Sequence, residues 1–241
     1  MSALDGRRIL VAGAGGGVGA AVARVAADAG AHVLLLGRTL ATLEELRDEI
    51  RSRGGRAGVA TADATDETQL ASAVAALRGE AGGIDALVNA VGVNVRRRRL
   101  DELDQATWRS VLDANTTAAF LLTQQVLPDF RRRGDGQIVH IGSTAARTAD
   151  GSGAAYQASK AALAALARAT AFEAGPDGVR VTALHPGLIA TGFVRHRPQP
   201  PTADELDRAL RPDDVAAMCL TILALPPRVQ VSEVVMVPAR P

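Results

Sequence analysis

The chain of 241 residues holds one cysteine, six aromatic residues and one lysine. The single thiol, Cys219, leaves no partner for an internal disulfide and fits a reducing compartment. The four histidines, His32, His140, His185 and His196, are scattered without metal-ligand spacing, so no metal site is expected. Charge of either sign is also lacking in excess, because 27 basic residues meet 26 acidic ones for a net charge of +1. A nucleic-acid surface wants a basic surplus and stacking rings, and neither is present. Long hydrophobic runs are missing too. The longest, Val215 to Leu225, falls far short of a bilayer span, and MSALDGRRIL offers no apolar core of a targeting peptide. The expectation is a soluble cytoplasmic protein folding as one domain over 1–241, with no nucleic-acid or membrane partner.

Of the 27 basic residues, 26 are Arg, and the only Lys, Lys160, stands four positions after the only Tyr, Tyr156. Where every other cation is a guanidinium, a solitary ammonium marks a position that Arg does not serve.

Short aliphatic runs alternate with alanine-rich stretches of helical period. The runs are 9–12, 33–36, 58–61, 86–89, 138–141, 179–184 and 234–237; the helical stretches are 17–29, 40–53, 66–80, 104–133, 154–174 and 213–224. Strands apolar throughout, rather than alternating, belong to a parallel sheet covered on both faces. Strict strand–helix alternation then predicts an α/β fold, a doubly wound Rossmann-type sheet of about seven parallel strands. Leu188 to Pro212, rich in Pro and charge, reads as one irregular segment, and long loops of this kind are often functional.

Directly after the first strand comes Gly13-Ala-Gly15-Gly16-Gly17-Val18-Gly19, opening the first helix. Glycines there let the chain turn tightly and let a pyrophosphate approach backbone N–H groups at a helix N-terminus. The spacing Gly13-x3-Gly17-x-Gly19 resembles that of the short-chain dehydrogenase/reductase family. So do the blocks that follow in order, from Leu4 to about Val237: Asp63 in Ala62-Asp63-Ala64-Thr65-Asp66, Asn89-Ala90-Val91-Gly92, Asn115 in a mid-chain helix, Ser143 thirteen residues before Tyr156, Tyr156-x3-Lys160, and Pro186-Gly187-x3-Thr191.

The resemblance implies an enzyme passing a hydride between a nicotinamide cofactor and a small-molecule carbonyl or secondary alcohol. In it Asn115, Ser143, Tyr156 and Lys160 are catalytic. Gly13, Gly15, Gly16, Gly17, Val18, Gly19, Asp63, Asn89, Gly92, Pro186, Gly187 and Thr191 hold the cofactor, together with Tyr156 and Lys160. It also implies that Lys160 bonds the nicotinamide ribose while Asn115 holds a relay water. Two positions depart from the family pattern: Ala12 stands for the usual Thr and Ala90 for the second Asn, so a polar tie between the first and fourth strands is missing on both sides.

The chemistry suits the residue types. A free phenol titrates near ~10, so base work at neutral pH needs nearby positive charge, which Lys160 on the same helical face supplies. Ser143 would donate to the substrate oxygen. At the end of the second strand Gly37 is followed by Arg38, where NAD-selective relatives carry an acid; NADP(H) is therefore the expected cofactor, with NAD(H) possible. The alternative is an inactive Rossmann protein acting as a dinucleotide-responsive regulator or scaffold. Such proteins usually lose the Tyr or the Lys, and this chain has both.

Other residues read more plainly. His140 and His185 are expected to be packed, hydrogen-bonded groups, and Arg96–Arg99 a solvated edge of like charge. Arg195, His196 and Arg197 either keep a mobile lid solvated or meet an acidic substrate group, with Gly192-Phe193 as hinge and apolar contact. Apolar faces on helices 104–133 and 154–174 point to a homotetramer on twofold axes, with a dimer as the runner-up.

Overall fold

The computed structural model describes residues 3–239, with the side chains of Arg195 and His196 outside the description. Seven strands form one parallel sheet: β1 (Arg8–Ala12), β2 (His32–Gly37), β3 (Arg56–Thr61), β4 (Ala86–Asn89), β5 (Gly136–Ile141), β6 (Val179–Pro186) and β7 (Glu233–Met236). Their spatial order is β3-β2-β1-β4-β5-β6-β7. The helices α1 (Gly17–Asp28), α2 (Leu40–Ser52), α3 (Glu67–Ala81), α4 (Gln105–Leu112), α5 (Ala118–Arg133), α6 (Ala154–Ala174), α7 (Ala203–Arg208) and α8 (Pro212–Ala224) complete the expected doubly wound α/β fold.

The strand pleat divides each run between two cores. Ile9, Val11, Val33 and Leu35 face α1, α2 and α8, where they meet Val22, Leu46 and Val215. Leu10, Ala12, Leu34 and Leu36 face α3, α5 and α6, where they meet Leu70, Leu122, Phe130 and Ala167. Period-two alternation inside an entirely apolar strand thus feeds both layers. Chain order reverses between β1 and β4, and in such sheets ligands occupy the crevice beyond the strand ends at that switch point.

Two regions differ from the sequence reading. The stretch 104–133 is not one regular helix, because a π-helical turn, Asp113–Thr117, joins α4 to α5. Asn115 sits in that turn, fully buried, and its amide makes three hydrogen bonds to neighbouring segments, which fix the wide turn in place. The segment 188–212 is more ordered than its composition indicates. It contains a 3₁₀ turn over Gly192–His196 and α7, which opens on a capping box between Thr202 and Glu205. Its two ends are tied where Ala190 N donates to Leu210 O (2.8 Å) and Leu210 N to Leu188 O (3.0 Å), so the segment forms a flap with a pinned base.

Candidate active site

The glycine turn after β1 is shaped by steric necessity. Gly13 has φ +79°, and a Cβ there would stand 2.8 Å from the carbonyl carbon of Ala90. A Cβ on Gly19 would run into Gly13 O, so α1 can start this close to the strand only as glycine. Gly16 caps α1 with no side-chain hydrogen bond. The N–H groups of the first turn therefore face the crevice as an anion-binding end. The two departures at Ala12 and Ala90 leave the strand junction intact, since Ala90 N donates to Ala12 O at 2.9 Å.

Two clefts meet along this edge and share Gly16, Ala90, Val91 and Gly92. One, of about 310 Å³, is lined by Gly13, Gly15, Arg38, Thr39 and Asp63. Asp63 Oδ1 accepts from Thr65 N (2.9 Å) and Thr65 Oγ1 (2.8 Å), bonds that hold its carboxyl below the usual range. The other, of about 450 Å³, runs from Gly17, Val18 and Gly19 past Ser143, Tyr156 and Lys160 to Pro186, Gly187 and Thr191. Thr191 also packs on the glycine turn, its Cγ2 lying 3.0 Å from where a Gly17 Cβ would be. The two clefts together form an elongated trough that runs from Arg38 and Asp63 past the N-terminus of α1 to Tyr156.

Asn89 does not line either cleft. Its Oδ1 accepts from Val91 N (3.0 Å) and its Nδ2 meets His140 Nδ1 (3.2 Å), so it shapes the chain turn at the end of β4 from beneath. Asn115 likewise works from below. Its Oδ1 accepts from Val93 N (2.7 Å), and its Nδ2 donates to Val93 O (3.0 Å) and Ser159 Oγ (2.9 Å).

Ser143, two residues beyond β5, caps the 3₁₀ turn Thr144–Ala146, its Oγ accepting from Ala145 N at 3.2 Å, and it lines the same cleft as Tyr156. Lys160, one turn along α6 from Tyr156, donates from Nζ to Ile141 O (2.9 Å) and stands 5.7 Å from the Tyr156 ring centroid. Burial pushes this ammonium down to about 8. The sequence leads to a phenol lowered by Lys160, and here the structure differs: burial is the largest influence and pushes the Tyr156 hydroxyl up, as does Asp150 to a smaller extent, while the neighbouring Ser143 hydroxyl and the charges of Arg197 and Arg98 pull it back. His140 and His185 are the packed groups expected, both fully buried, with His185 Nδ1 at 3.1 Å from Ser143 O. Burial brings His140 down to about 4.

The reading of Arg96–Arg99 as a solvated edge needs one correction. Arg96, Arg97 and Arg99 are exposed, but Arg98 is 5% exposed and lines the larger cleft. The available signal was position, since the loop follows β4 at the carboxyl edge of the sheet. Arg197 lines the same cleft from the flap, and the Phe193 ring lies 6.1 Å from that of Tyr156, tilted by 48°. The side chains of Arg195 and His196 lie outside the described residues.

Comparison with known proteins agrees with this architecture. Residues 7–201 match the family model described as short chain dehydrogenase, and the chain belongs to that family. An uncharacterized oxidoreductase of Mycobacterium tuberculosis is 33% identical over 230 residues; the match covers 94% of this chain, which spans only 66% of the relative's length. A solved 7α-hydroxysteroid dehydrogenase, complexed with NADH and 7-oxo glycochenodeoxycholic acid, superposes with a TM-score of 0.90 at 29% identity, over 97% of this chain and 93% of that one. A variant of actinorhodin polyketide ketoreductase bound to NADPH superposes with a TM-score of 0.89 at 28% identity, over 99% and 98%. Relatives of this fold thus hold either nicotinamide cofactor. Among the described residues no helix is long and apolar enough to cross a membrane, and no three His, Cys, Asp or Glu side chains gather to hold a metal.

Proposed function

We propose that the protein is an NADP(H)-preferring oxidoreductase that interconverts a carbonyl and a secondary alcohol on a small molecule, and that it works as a homotetramer. The observation that carries the reading is the gathering of Ser143, Tyr156 and Lys160 on the wall of one trough continuous with the glycine turn. When bound, the nicotinamide supplies or accepts the hydride. Ser143 and Tyr156 then grip the substrate oxygen. As alkoxide character develops, Tyr156 gives up its proton, and burial, by keeping the phenol protonated at neutral pH, equips it as the acid. Lys160 holds its ammonium on Ile141 O, 5.7 Å from the Tyr156 ring centroid, and Asn115 holds the 93–115 junction beneath the site. The hydroxysteroid dehydrogenase and ketoreductase relatives act on this functional-group class by name, which supports the reading.

The preference for NADP(H) rests on Arg38, which lines the smaller cleft where the adenosine ribose would lie, next to Gly37 in place of an acid. A guanidinium there pairs with a 2′-phosphate. Steady-state rates with a ketone panel and each cofactor test both parts. We expect turnover with a higher kcat/KM for NADPH than for NADH, and Arg38→Ala should weaken NADPH by about tenfold while leaving NADH within a factor of about three. A preference for NADH would overturn the cofactor assignment. No turnover with any ketone, in either direction, would overturn the enzyme assignment.

A further inference from the structure

We propose that His185 is a positioning residue for the reaction, one that sets the place of the Ser143 hydroxyl by holding the Ser143 carbonyl; this deepens the oxidoreductase reading above and rests on it. The strand ladder explains why a side chain is needed here. Beyond β5 the chain continues beside β6, and Gly142 N donates to Leu184 O at 2.7 Å. In a parallel ladder the next bond back would come from the N–H of residue 186, which is Pro186 and has none. Ladder support therefore stops one residue short of Ser143. The imidazole of His185 takes over, with Nδ1 at 3.1 Å from Ser143 O. A carbonyl oxygen only accepts, so Nδ1 carries the proton of this bond.

The place of the ring is built into the neighbouring backbone. A Cβ on Gly142 would stand 2.5 Å from His185 Nδ1 and 2.9 Å from its Cε1, so the imidazole can sit against the strand end only beside glycine. His185 is fully buried, and no solvent competes for the bond. Ala146 N also donates to Ser143 O (3.0 Å), while Ser143 Oγ accepts from Ala145 N (3.2 Å). The carbonyl that His185 holds is thus the first anchor of the 3₁₀ turn that orients the hydroxyl. On the other side of Gly142, Lys160 Nζ donates to Ile141 O at 2.9 Å. The two carbonyls flanking Gly142 are therefore each held by a side chain, one from α6 and one from β6. His185 also leads directly into Pro186 and Gly187, which line the same cleft as Ser143. Its hydrogen bond joins the wall assigned to the cofactor to the residue assigned to the substrate oxygen.

The test measures kcat and KM on the best ketone of the panel, and NADPH affinity by cofactor fluorescence, for the wild-type enzyme, His185→Leu, His185→Asn and His185→Gln. It then repeats His185→Leu in a Ser143→Ala background. The Asn amide nitrogen hangs on Cγ, as Nδ1 does, whereas that of Gln lies one bond further out. His185→Leu should lower kcat at least about tenfold with NADPH affinity kept within about threefold, because a small misplacement of a catalytic group costs rate rather than cofactor binding. Asn should return kcat to within about threefold of wild type by restoring the donor, and Gln should not. In the Ser143→Ala background the further loss from His185→Leu should stay under about twofold, since the group it positions is gone. A near wild-type kcat in His185→Leu, or the same fold loss in both backgrounds, would overturn the assignment while leaving the oxidoreductase reading in place. If His185→Leu loses its cooperative melting transition, the other two variants decide, and equal kcat for Asn and Gln would overturn it. No turnover of any ketone by the wild-type enzyme would instead overturn the oxidoreductase reading, and the positioning role with it.

Discussion

At the scale of single residues, the solitary Tyr156 and Lys160 were legible because type and spacing alone place them on one helical face. Their titration was not, because it depends on burial that only the packed fold creates. The expected consequences separate cleanly. Tyr156→Phe keeps the ring against Phe193 and removes the acid, so kcat should fall by about a thousandfold or more with NADPH affinity retained, as measured by turnover and by quenching of cofactor fluorescence. Lys160→Arg keeps the charge but not the compact ammonium on Ile141 O, and kcat should fall at least about a hundredfold. Near-normal kcat in that variant would remove the argument from the lone lysine. Arg98 shows the opposite limit of sequence reading: a run of four like charges looks solvated, and nothing in the run says that its third member turns inward. His140 gives a prediction for pH. Its folded value of about 4 lies below the usual 6.5 of an unfolded histidine, so the stability it contributes is present above 6.5 and is lost as pH falls through 4. At about 1.4 kcal/mol per pH unit the loss approaches about 3 kcal/mol. His140→Asn, which cannot titrate there, should flatten the fall of the urea midpoint between pH 7 and pH 4, and an equally steep fall would assign the acid sensitivity elsewhere.

At the scale of elements, strands and helices follow from patterns that each segment carries within itself. An apolar run reads as a buried strand, an alanine-rich stretch of period 3.6 as a helix, and a glycine cluster between them as a phosphate turn. The π turn at Asp113–Thr117 was invisible for the converse reason: its cause lies in Val93 and Ser159, which are remote in sequence from Asn115. The flap escaped for a related one, since its anchoring bonds between Leu188, Ala190 and Leu210 join its two ends and leave no local periodicity to read. The glycine turn allows a test at this scale. Gly19 has no positive φ, so Gly19→Ala carries no penalty of backbone strain, yet its Cβ would collide with Gly13 O. The start of α1 must move away from β1, which spoils the pyrophosphate end of the trough. NADPH should bind at least about tenfold more weakly by isothermal titration, with the global melting temperature changed by only a few degrees. Unchanged affinity would show that the α1 terminus does not hold the cofactor.

At the scale of the whole molecule, the doubly wound parallel sheet could be anticipated from alternation, but the surfaces it leaves open could not, because exposure depends on which side chains the neighbouring layer fails to cover. Two groups of apolar side chains are exposed. Phe172 on α6 is 86% exposed and Phe120 on α5 44% exposed, a costly arrangement in a chain with only six aromatic residues. In addition, β7 is an edge strand with Val235 51% exposed, followed by Val237 at 59%. An unpaired edge bearing apolar side chains invites pairing with another chain. Each surface can cover itself by a twofold axis, and two such axes that do not coincide generate a tetramer of D2 symmetry, whereas one gives a dimer. Light scattering at micromolar concentration should therefore return a mass near four times the 24.9 kDa of the chain. Phe172→Asp places a charge where α6 would meet its copy, and should halve that mass while leaving the β7 contact and the circular dichroism spectrum intact. A wild-type monomer would dispose of both interfaces. A wild-type tetramer that survives Phe172→Asp together with Phe120→Asp would move the assembly away from α5 and α6.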